Sequence, residues 1–263
     1  MAEVSDDLDW HCYRHPDRGA GVRCHRCERP ICPECMVTAP VGFQCPSCVR
    51  SGPPVRTMRS IAVSRRPVLT TWIVAVNALV YLLSMGRDLA PRFGLDGPDV
   101  AAGQWYRLVT GGFLHASILH VGFNMALLFQ LGVLLEPALG RARFGALYLA
   151  SLLCGSLGVM LVEPNALTVG ASGAVFGLLG AAVLVARDRG IDPWRSGLGT
   201  LLVLNLVFTF AVPGISVGGH VGGLAGGALT GWAMLATEDN VPLGVSLAVA
   251  VTALATAAAI GVA

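Results

Sequence analysis

Seven apolar segments follow one another after Pro67, and each has roughly the length of a bilayer-spanning helix. A helix needs about 20 mostly apolar residues to cross the hydrocarbon core. Only 13% of the whole chain is charged, against about 25% in ordinary soluble domains. The sequence therefore predicts an all-α polytopic membrane protein. The segments cover residues 68–85, 117–135, 143–162, 172–187, 197–213, 218–236 and 243–262.

The first 50 residues have a different composition, because seven of the eight cysteines lie between residues 12 and 48. They form pairs with two intervening residues, and a histidine completes the first pair. Eight soft ligands are enough for two tetrahedral zinc sites, whereas the odd number of cysteines argues against a disulfide-bonded module. We therefore predict two structural zinc ions in a small domain that needs its metal to fold. The candidate ligands are Cys12 and His15, Cys24 and Cys27, Cys32 and Cys35, and Cys45 and Cys48.

This cysteine-rich head resembles a short B-box or RING-type zinc finger. Such fingers are cross-braced, so the resemblance implies that alternate pairs share a metal, and pairing of sequence neighbours remains the alternative. Each set of four is closed, which excludes a catalytic zinc with an open coordination position. We expect a docking or regulatory role with a cytoplasmic protein partner. The implied sets are Cys12, His15, Cys32 and Cys35, and Cys24, Cys27, Cys45 and Cys48.

Arginine placement predicts the topology, because arginine is enriched in cytoplasmic loops. With the amino terminus inside, seven arginines fall in cytoplasmic connections, and only Arg87, Arg92 and Arg107 fall on the other side. No cleavable signal peptide is evident in the first thirty residues. We therefore expect a cytoplasmic amino terminus and, after seven spans, an extracytoplasmic carboxy terminus. The cytoplasmic arginines are Arg65, Arg66, Arg141, Arg143, Arg187, Arg189 and Arg195.

The charge distribution also divides the chain into a zinc-binding domain (residues 1–50), a basic linker containing proline and glycine (residues 51–66) and a membrane domain (residues 67–263). Arg56, Arg59, Arg65 and Arg66 of the linker can contact anionic lipid. The net charge of +2 is too small and dispersed to indicate a nucleic-acid partner.

Two potentially catalytic side chains begin the fourth and sixth apolar segments. Ser172 lies in Gly170-Ala171-Ser172-Gly173, and His220 lies in a glycine-rich run, Gly218 to Gly223. A nucleophile and a base on separate apolar helices indicate acyl-transfer chemistry inside a membrane, although a lone Gly-x-Ser-Gly is more often a packing motif. Glycines spaced by three and four residues predict that these two helices approach closely.

A second polar pair, His120 and Asn124, begins the second segment and shares one helix face. Combined in this order, His120-x3-Asn124, Gly170-x-Ser172-Gly173 and His220-x2-Gly223-x3-Gly227 resemble the rhomboid family of intramembrane serine proteases. The resemblance covers about residues 68–236 and includes the loop Gln104-Trp105-Tyr106-Arg107, where family members usually have tryptophan before the arginine.

The resemblance implies a six-helix core, here followed by a seventh transmembrane helix. It also implies a Ser172–His220 dyad with no catalytic cofactor, and an oxyanion hole of His120, Asn124 and the Ser172 amide. The topology predicted from the arginines puts Ser172 and His220 toward the extracytoplasmic side, where we expect the site to open. Gly170 and Phe176 would support the site, with the Phe176 ring on His220. No carboxylate after Pro67 is placed to orient His220 as the third member of a triad.

The predicted function is that of a serine endopeptidase cleaving transmembrane or juxtamembrane segments of membrane proteins in the lipid bilayer. The alternative is a catalytically silent relative that binds client helices. A transporter or channel is disfavoured, because the polar residues gather toward one side of the membrane and no line of ionisable residues crosses it.

Overall fold

The computed structural model describes residues 10–39, 42–51 and 66–263. The chain divides into two compact units, Met1–Ser60 and Ile61–Ala263. Almost all of the predicted linker, including Arg56, Arg59 and Arg65, lies outside the described residues.

The first unit is built on two small antiparallel hairpins followed by a short helix. Strand β1 (Val22–Arg23) pairs with β2 (Pro30–Ile31), and β3 (Val37–Thr38) pairs with β4 (Phe43–Gln44). The helix spans Pro46–Ser51. The buried core of this unit consists of Ile31 and five cysteines. Since a core this small contributes little hydrophobic stabilisation, the unit depends on what its cysteines bind.

In residues 66–263, the described part of the second unit, seven long helices form, one in each predicted segment. All begin and end within a few residues of the prediction, the largest change being that the second continues four residues further, to Leu139. The helices are α1 (Val68–Ser84), α2 (Ile118–Leu139), α3 (Arg141–Val162), α4 (Ser172–Asp188), α5 (Leu198–Ala211), α6 (Val217–Ala236) and α7 (Val241–Val262).

Length, composition and surface mark this unit as an integral membrane protein. Helices α2, α3 and α7 are long and apolar enough to cross a membrane, and α1 and α5 are shorter apolar helices. Large apolar side chains are exposed on its surface, with Trp72 66% exposed and Trp232 61% exposed. Exposed apolar surface on helices that satisfy their own backbone hydrogen bonds is suited to lipid. That all seven helices cross remains a prediction.

Helices α3, α4 and α6 meet backbone to backbone at the centre of this unit. A Cβ atom on Gly223 of α6 would overlap the main chain of Gly173 in α4, and one on Gly218 would overlap the main chain of Gly158 in α3. The close approach of α4 and α6 confirms the prediction from glycine spacing. The participation of α3 was not predicted.

The long connection between α1 and α2 contains short helices that the sequence pattern did not predict. They span Ala90–Phe93, Gly97–Ala101, Arg107–Thr110 and Gly111–Phe113. Arg107 is buried among them and donates hydrogen bonds to the carbonyl oxygens of Gly94 and Pro91, both at 2.8 Å. It also pairs with Asp99 at 2.8 Å. The guanidinium of Arg107 therefore holds several segments of this connection in contact with one another.

Candidate active site

Ser172 is the first residue of α4, and its local backbone requires a glycine two residues earlier. Gly170 has φ +132°, which side chains rarely adopt, and a Cβ there would lie 2.7 Å from Nε2 of His120. The Gly170 amide donates to the carbonyl oxygen of Gly111 at 2.9 Å, which fixes the turn before α4. Because the first amides of a helix have no intrahelical partner, the Ser172 N–H is available to a ligand.

His220 lies in the first turn of α6, whose amino terminus is capped twice. Ser216 Oγ accepts a hydrogen bond from the Gly219 amide at 3.0 Å. Glu163, which follows α3, accepts one from the Val217 amide at 2.8 Å through Oε1. The carboxylate of Glu163 thus fixes the start of the histidine-bearing helix rather than the histidine itself, consistent with its favourable position at a helix amino terminus.

The ring of His220 is held on two sides. Its face stacks on Phe176, as the resemblance implied. Its edge contacts α5, where Nδ1 lies 2.7 Å from the hydroxyl oxygen of Thr209. Within the described ranges no hydrogen bond joins Ser172 Oγ to His220. Sequence reasoning missed Thr209; the one available signal was that it follows Asn205 by four residues on an otherwise apolar segment.

His120 and Asn124 extend along one face of α2, as predicted. The Ala116 amide donates to Nδ1 of His120 at 3.4 Å, so Nδ1 acts as the acceptor and Nε2 carries the proton. Nε2 also lies beside Gly170, 2.7 Å from where a Cβ atom on that residue would stand. Asn124 Nδ2 donates to the His120 carbonyl oxygen at 3.0 Å, which leaves its second N–H free. Both side chains therefore offer a donor.

A single cavity of about 1030 Å³ brings these residues together. Its walls are largely apolar, with a few polar groups near the starts of α2, α4 and α6, which is the usual composition of a ligand site. The cavity is lined by all six residues that were predicted for the site: His120, Asn124, Gly170, Ser172, Phe176 and His220.

The candidate metal centres lie in the cysteine-rich unit, and the structure groups their ligands in the cross-braced way that the resemblance implied. In each set the ligand atoms lie within 4.8 Å of one another. Nδ1 of His15 is 3.4 Å from the sulfurs of Cys32 and Cys35, and the sulfurs of Cys27 and Cys45 are 3.7 Å apart. Tetrahedral zinc with bonds of about 2.3 Å to sulfur separates two sulfur ligands by about 3.7 Å. The geometry therefore fits zinc. The two sets are Cys12, His15, Cys32 and Cys35, and Cys24, Cys27, Cys45 and Cys48.

The pKa is lowered from the ordinary thiol value for Cys12 in the first set and for Cys24 and Cys45 in the second. Burial alone would raise the pKa of Cys12. Hydrogen bonds from neighbouring backbone N–H groups outweigh this effect and lower the pKa to about 6. The same balance brings the pKa of Cys24 to about 6. Burial and then hydrogen bonds with neighbouring cysteines raise the pKa of Cys35 to about 11. Thiolates are the metal-binding form, so a cation is the group that would let each whole set ionise.

Comparison with known proteins agrees with this architecture. The family model for the Rhomboid domain matches residues 102–237, which run from the connection before α2 to just beyond the end of α6. All six residues that were predicted for the site, and that line the cavity, lie in this region.

Relatives named for the same family occur in bacteria, plants and parasites. Rhomboid protease GluP of Bacillus subtilis is 33% identical over 182 residues, covering 65% of this chain but 36% of GluP. The YdcA protein of the same bacterium is 33% identical over 187 residues, covering 66% of this chain and 92% of YdcA. Rhomboid-like protease 5 of Toxoplasma gondii is 36% identical over 139 residues, covering 51% of this chain and 16% of that protein. The match spans about a third of GluP and nearly all of YdcA. Because the family model covers more than half of this chain, the chain belongs to the rhomboid family.

Proposed function

We propose that this protein is an intramembrane serine endopeptidase that cleaves transmembrane or juxtamembrane segments of membrane proteins. The observation that carries the proposal is that Ser172 and His220 start neighbouring helices and line the same cavity. The helices that bear them touch at their main chains, at Gly173 and Gly223. Relatives named as proteases support the reaction class.

In the proposed reaction, Ser172 Oγ attacks the scissile carbonyl while His220 Nε2 takes the hydroxyl proton and later delivers it to the leaving amine. The hydroxyl and the imidazole must come within hydrogen-bond reach for this step. Such contacts are often loose without substrate and tighten in the reactive complex.

The developing oxyanion would be stabilised by three donors on two helices. His120 Nε2–H and the free N–H of Asn124 reach the cavity from α2, and the Ser172 amide opens α4. Each donor is neutral, so it can stabilise the developing charge without the cost of burying an ion.

We also propose that the amino terminus is cytoplasmic, the carboxy terminus extracytoplasmic, and the site open toward the extracytoplasmic side. The arginine distribution supports this orientation. A common side for Ser172 and His220 is supported by their positions at the amino-terminal ends of α4 and α6.

For the cysteine-rich unit we propose two structural zinc ions and a role in docking a cytoplasmic protein. Both ligand sets are closed, which supports a structural rather than catalytic metal. We also propose the domain limits that the sequence predicts. These are a zinc-binding domain (residues 1–50), a basic linker (residues 51–66) and a membrane domain (residues 67–263).

The test is cleavage of a fluorogenic transmembrane peptide by the purified protein in liposomes. We expect cleavage by the wild type and none by Ser172→Ala or His220→Ala. Ser196→Ala is the matched control, because this exposed serine bonds only the Pro193 carbonyl oxygen in its own loop. Cleavage that persists in Ser172→Ala would refute the proposal. A wild type that binds the peptide without cutting it would identify a silent relative.

A further inference from the structure

Thr209 is buried on α5, a helix whose other side chains are exposed or half-buried. Two of the fourteen residues of α5 are buried, Gly199 and Thr209. The neighbours Phe208 and Phe210 are 62% and 67% exposed, whereas Thr209 is 2% exposed. A polar side chain buried in an apolar setting needs a hydrogen-bond partner, and Thr209 has two.

The two partners of Thr209 determine where its single hydroxyl proton goes. Oγ1 lies 2.8 Å from the carbonyl oxygen of Asn205, one turn earlier in α5, and 2.7 Å from Nδ1 of His220. For both contacts to be hydrogen bonds, the hydroxyl must donate its one proton to the Asn205 carbonyl oxygen, which can only accept. The lone pairs of Oγ1 then face Nδ1, which must carry the ring proton to complete the second bond.

We infer that Thr209 is a positioning residue that holds His220 with its proton on Nδ1 and its lone pair on Nε2, ready to accept the proton of Ser172. This inference rests on the proposed function. It assigns to a neutral hydroxyl on α5 the orienting role that a carboxylate has in a triad. A hydroxyl is suited to this position because an unpaired carboxylate at membrane depth is costly.

The nearest acid does not compete for this role. Oε1 of Glu163 accepts from the amides of Val217 and Gly218 at the start of α6. Phe176 covers the face of the His220 ring but offers no hydrogen-bond acceptor at its edge. Thr209 is therefore the group that distinguishes one imidazole nitrogen from the other.

The short connection between α5 and α6 explains how the contact is made. Thr209 and His220 are 11 residues apart, and the chain reverses between them through a turn at Gly214, where φ is +83°. The hydroxyl and the imidazole thus belong to one helical hairpin. Their alignment depends on the rotation of α5 about its own axis, because a rotation would carry Thr209 away from the ring.

The experiment measures kcat and KM for the fluorogenic peptide in liposomes with Thr209→Val and Thr209→Ser. Valine keeps the shape and removes the acceptor, so we expect kcat to fall about 10- to 100-fold, part of what a general base contributes, with KM changed less than about twofold. Serine keeps the acceptor, so kcat should stay within about threefold of the wild type. The rate at which a fluorophosphonate labels Ser172 should follow the same order, because labelling also needs the base.

Thr230→Val is the matched control. Thr230 is fully buried on α6 and its hydroxyl donates to the Gly226 carbonyl oxygen at 2.8 Å, the same one-turn bond without a histidine. We expect its kcat to stay near that of the wild type. Should Thr209→Val fail to insert into the membrane, Thr209→Ala carries the same prediction.

Two outcomes overturn the inference while leaving the proposed function intact. One is cleavage that depends on Ser172 but is equal in Thr209→Val and the wild type, or faster in the variant. The other is an equal loss in Thr209→Ser and Thr209→Val, which would indicate a packing role. Cleavage that does not depend on Ser172 would instead overturn the proposed function, and the inference with it.

Discussion

The ring of Phe176 lies nearly parallel to the imidazole of His220, with centroids 4.1 Å apart and planes inclined by 19°. Phe176 stands one turn after Ser172 on α4. The nucleophile and the support of the base therefore come from the same helix face, so a displacement of α4 would affect both groups together.

Replacing this aromatic ring should slow catalysis without abolishing it. In Phe176→Leu the stack is lost, and because aromatic pairs contribute about 0.5–1.5 kcal/mol beyond their buried area, we expect kcat to fall roughly 2- to 10-fold. Phe176→Tyr keeps the ring and should stay near the wild-type rate. The control is Phe210→Leu, at an exposed position of α5 outside the cavity. A tyrosine variant as slow as the leucine variant would contradict the stacking explanation.

Gly170→Ala should abolish most activity for two reasons, the positive φ and the contact of the new methyl group with His120 Nε2. We expect a loss of kcat of about 100-fold or more, comparable to the loss of an oxyanion donor. Gly190→Ala separates the two causes, since Gly190 has φ +70° but no atom within 4 Å of the added Cβ. It should lose a little thermal stability, on the order of 1 kcal/mol, and keep its activity. Equal activity in the two variants would show that His120 is not displaced.

Removing an oxyanion donor should affect the chemical step. We expect Asn124→Ala and His120→Ala each to lower kcat about 10²- to 10³-fold with little change in KM, because the charge they stabilise exists only in the transition state. Gln130→Ala, which removes an exposed amide from the same helix, is the control and should cleave at the wild-type rate. A variant whose KM rises while kcat stays constant would instead indicate a role in substrate binding.

Metal content should follow the cross-braced sets one site at a time. Metal-replete wild-type protein is expected to hold about two zinc ions per chain, and Cys12→Ser about one, since each tetrahedral site needs all four of its ligands. Cys154→Ser, in α3 and outside both sets, should keep both ions. Elemental analysis of the purified proteins makes the comparison. Wild-type protein without zinc, or a Cys12 variant that retains both ions, would contradict the assignment.

Helix positions in this protein follow from local composition. An apolar run of bilayer length can satisfy its backbone only as a helix, so each of the seven helices was predictable, and the glycine spacing also predicted the approach of α4 and α6. The site residues His120, Asn124, Ser172 and His220 were identified because polar side chains are rare in such runs.

Contacts that depend on helix rotation or on distant partners were not predictable. On α5, the Asn205 side chain donates to the Leu201 carbonyl oxygen in its own helix, while Thr209 makes the contact between helices. Glu136 accepts hydrogen bonds from the amides of Leu69 and Thr70, 67 and 66 residues away. It thereby caps the amino terminus of α1, which has no side-chain cap of its own. No short-range pattern encodes such a pairing.

The backbone contacts between α4 and α6 restrict substitutions at the helix contact but not on the exposed surface. The spacing of the helices that carry Ser172 and His220 is set by main-chain atoms at Gly173 and Gly223, which substitutions elsewhere do not alter. Exposed side chains outside the cavity, such as Trp72 and Trp232, are free of this constraint. Substitutions on the lipid-facing surface can therefore adapt the protein to membranes of different thickness or composition without changing the main-chain contacts that set the spacing of these two helices.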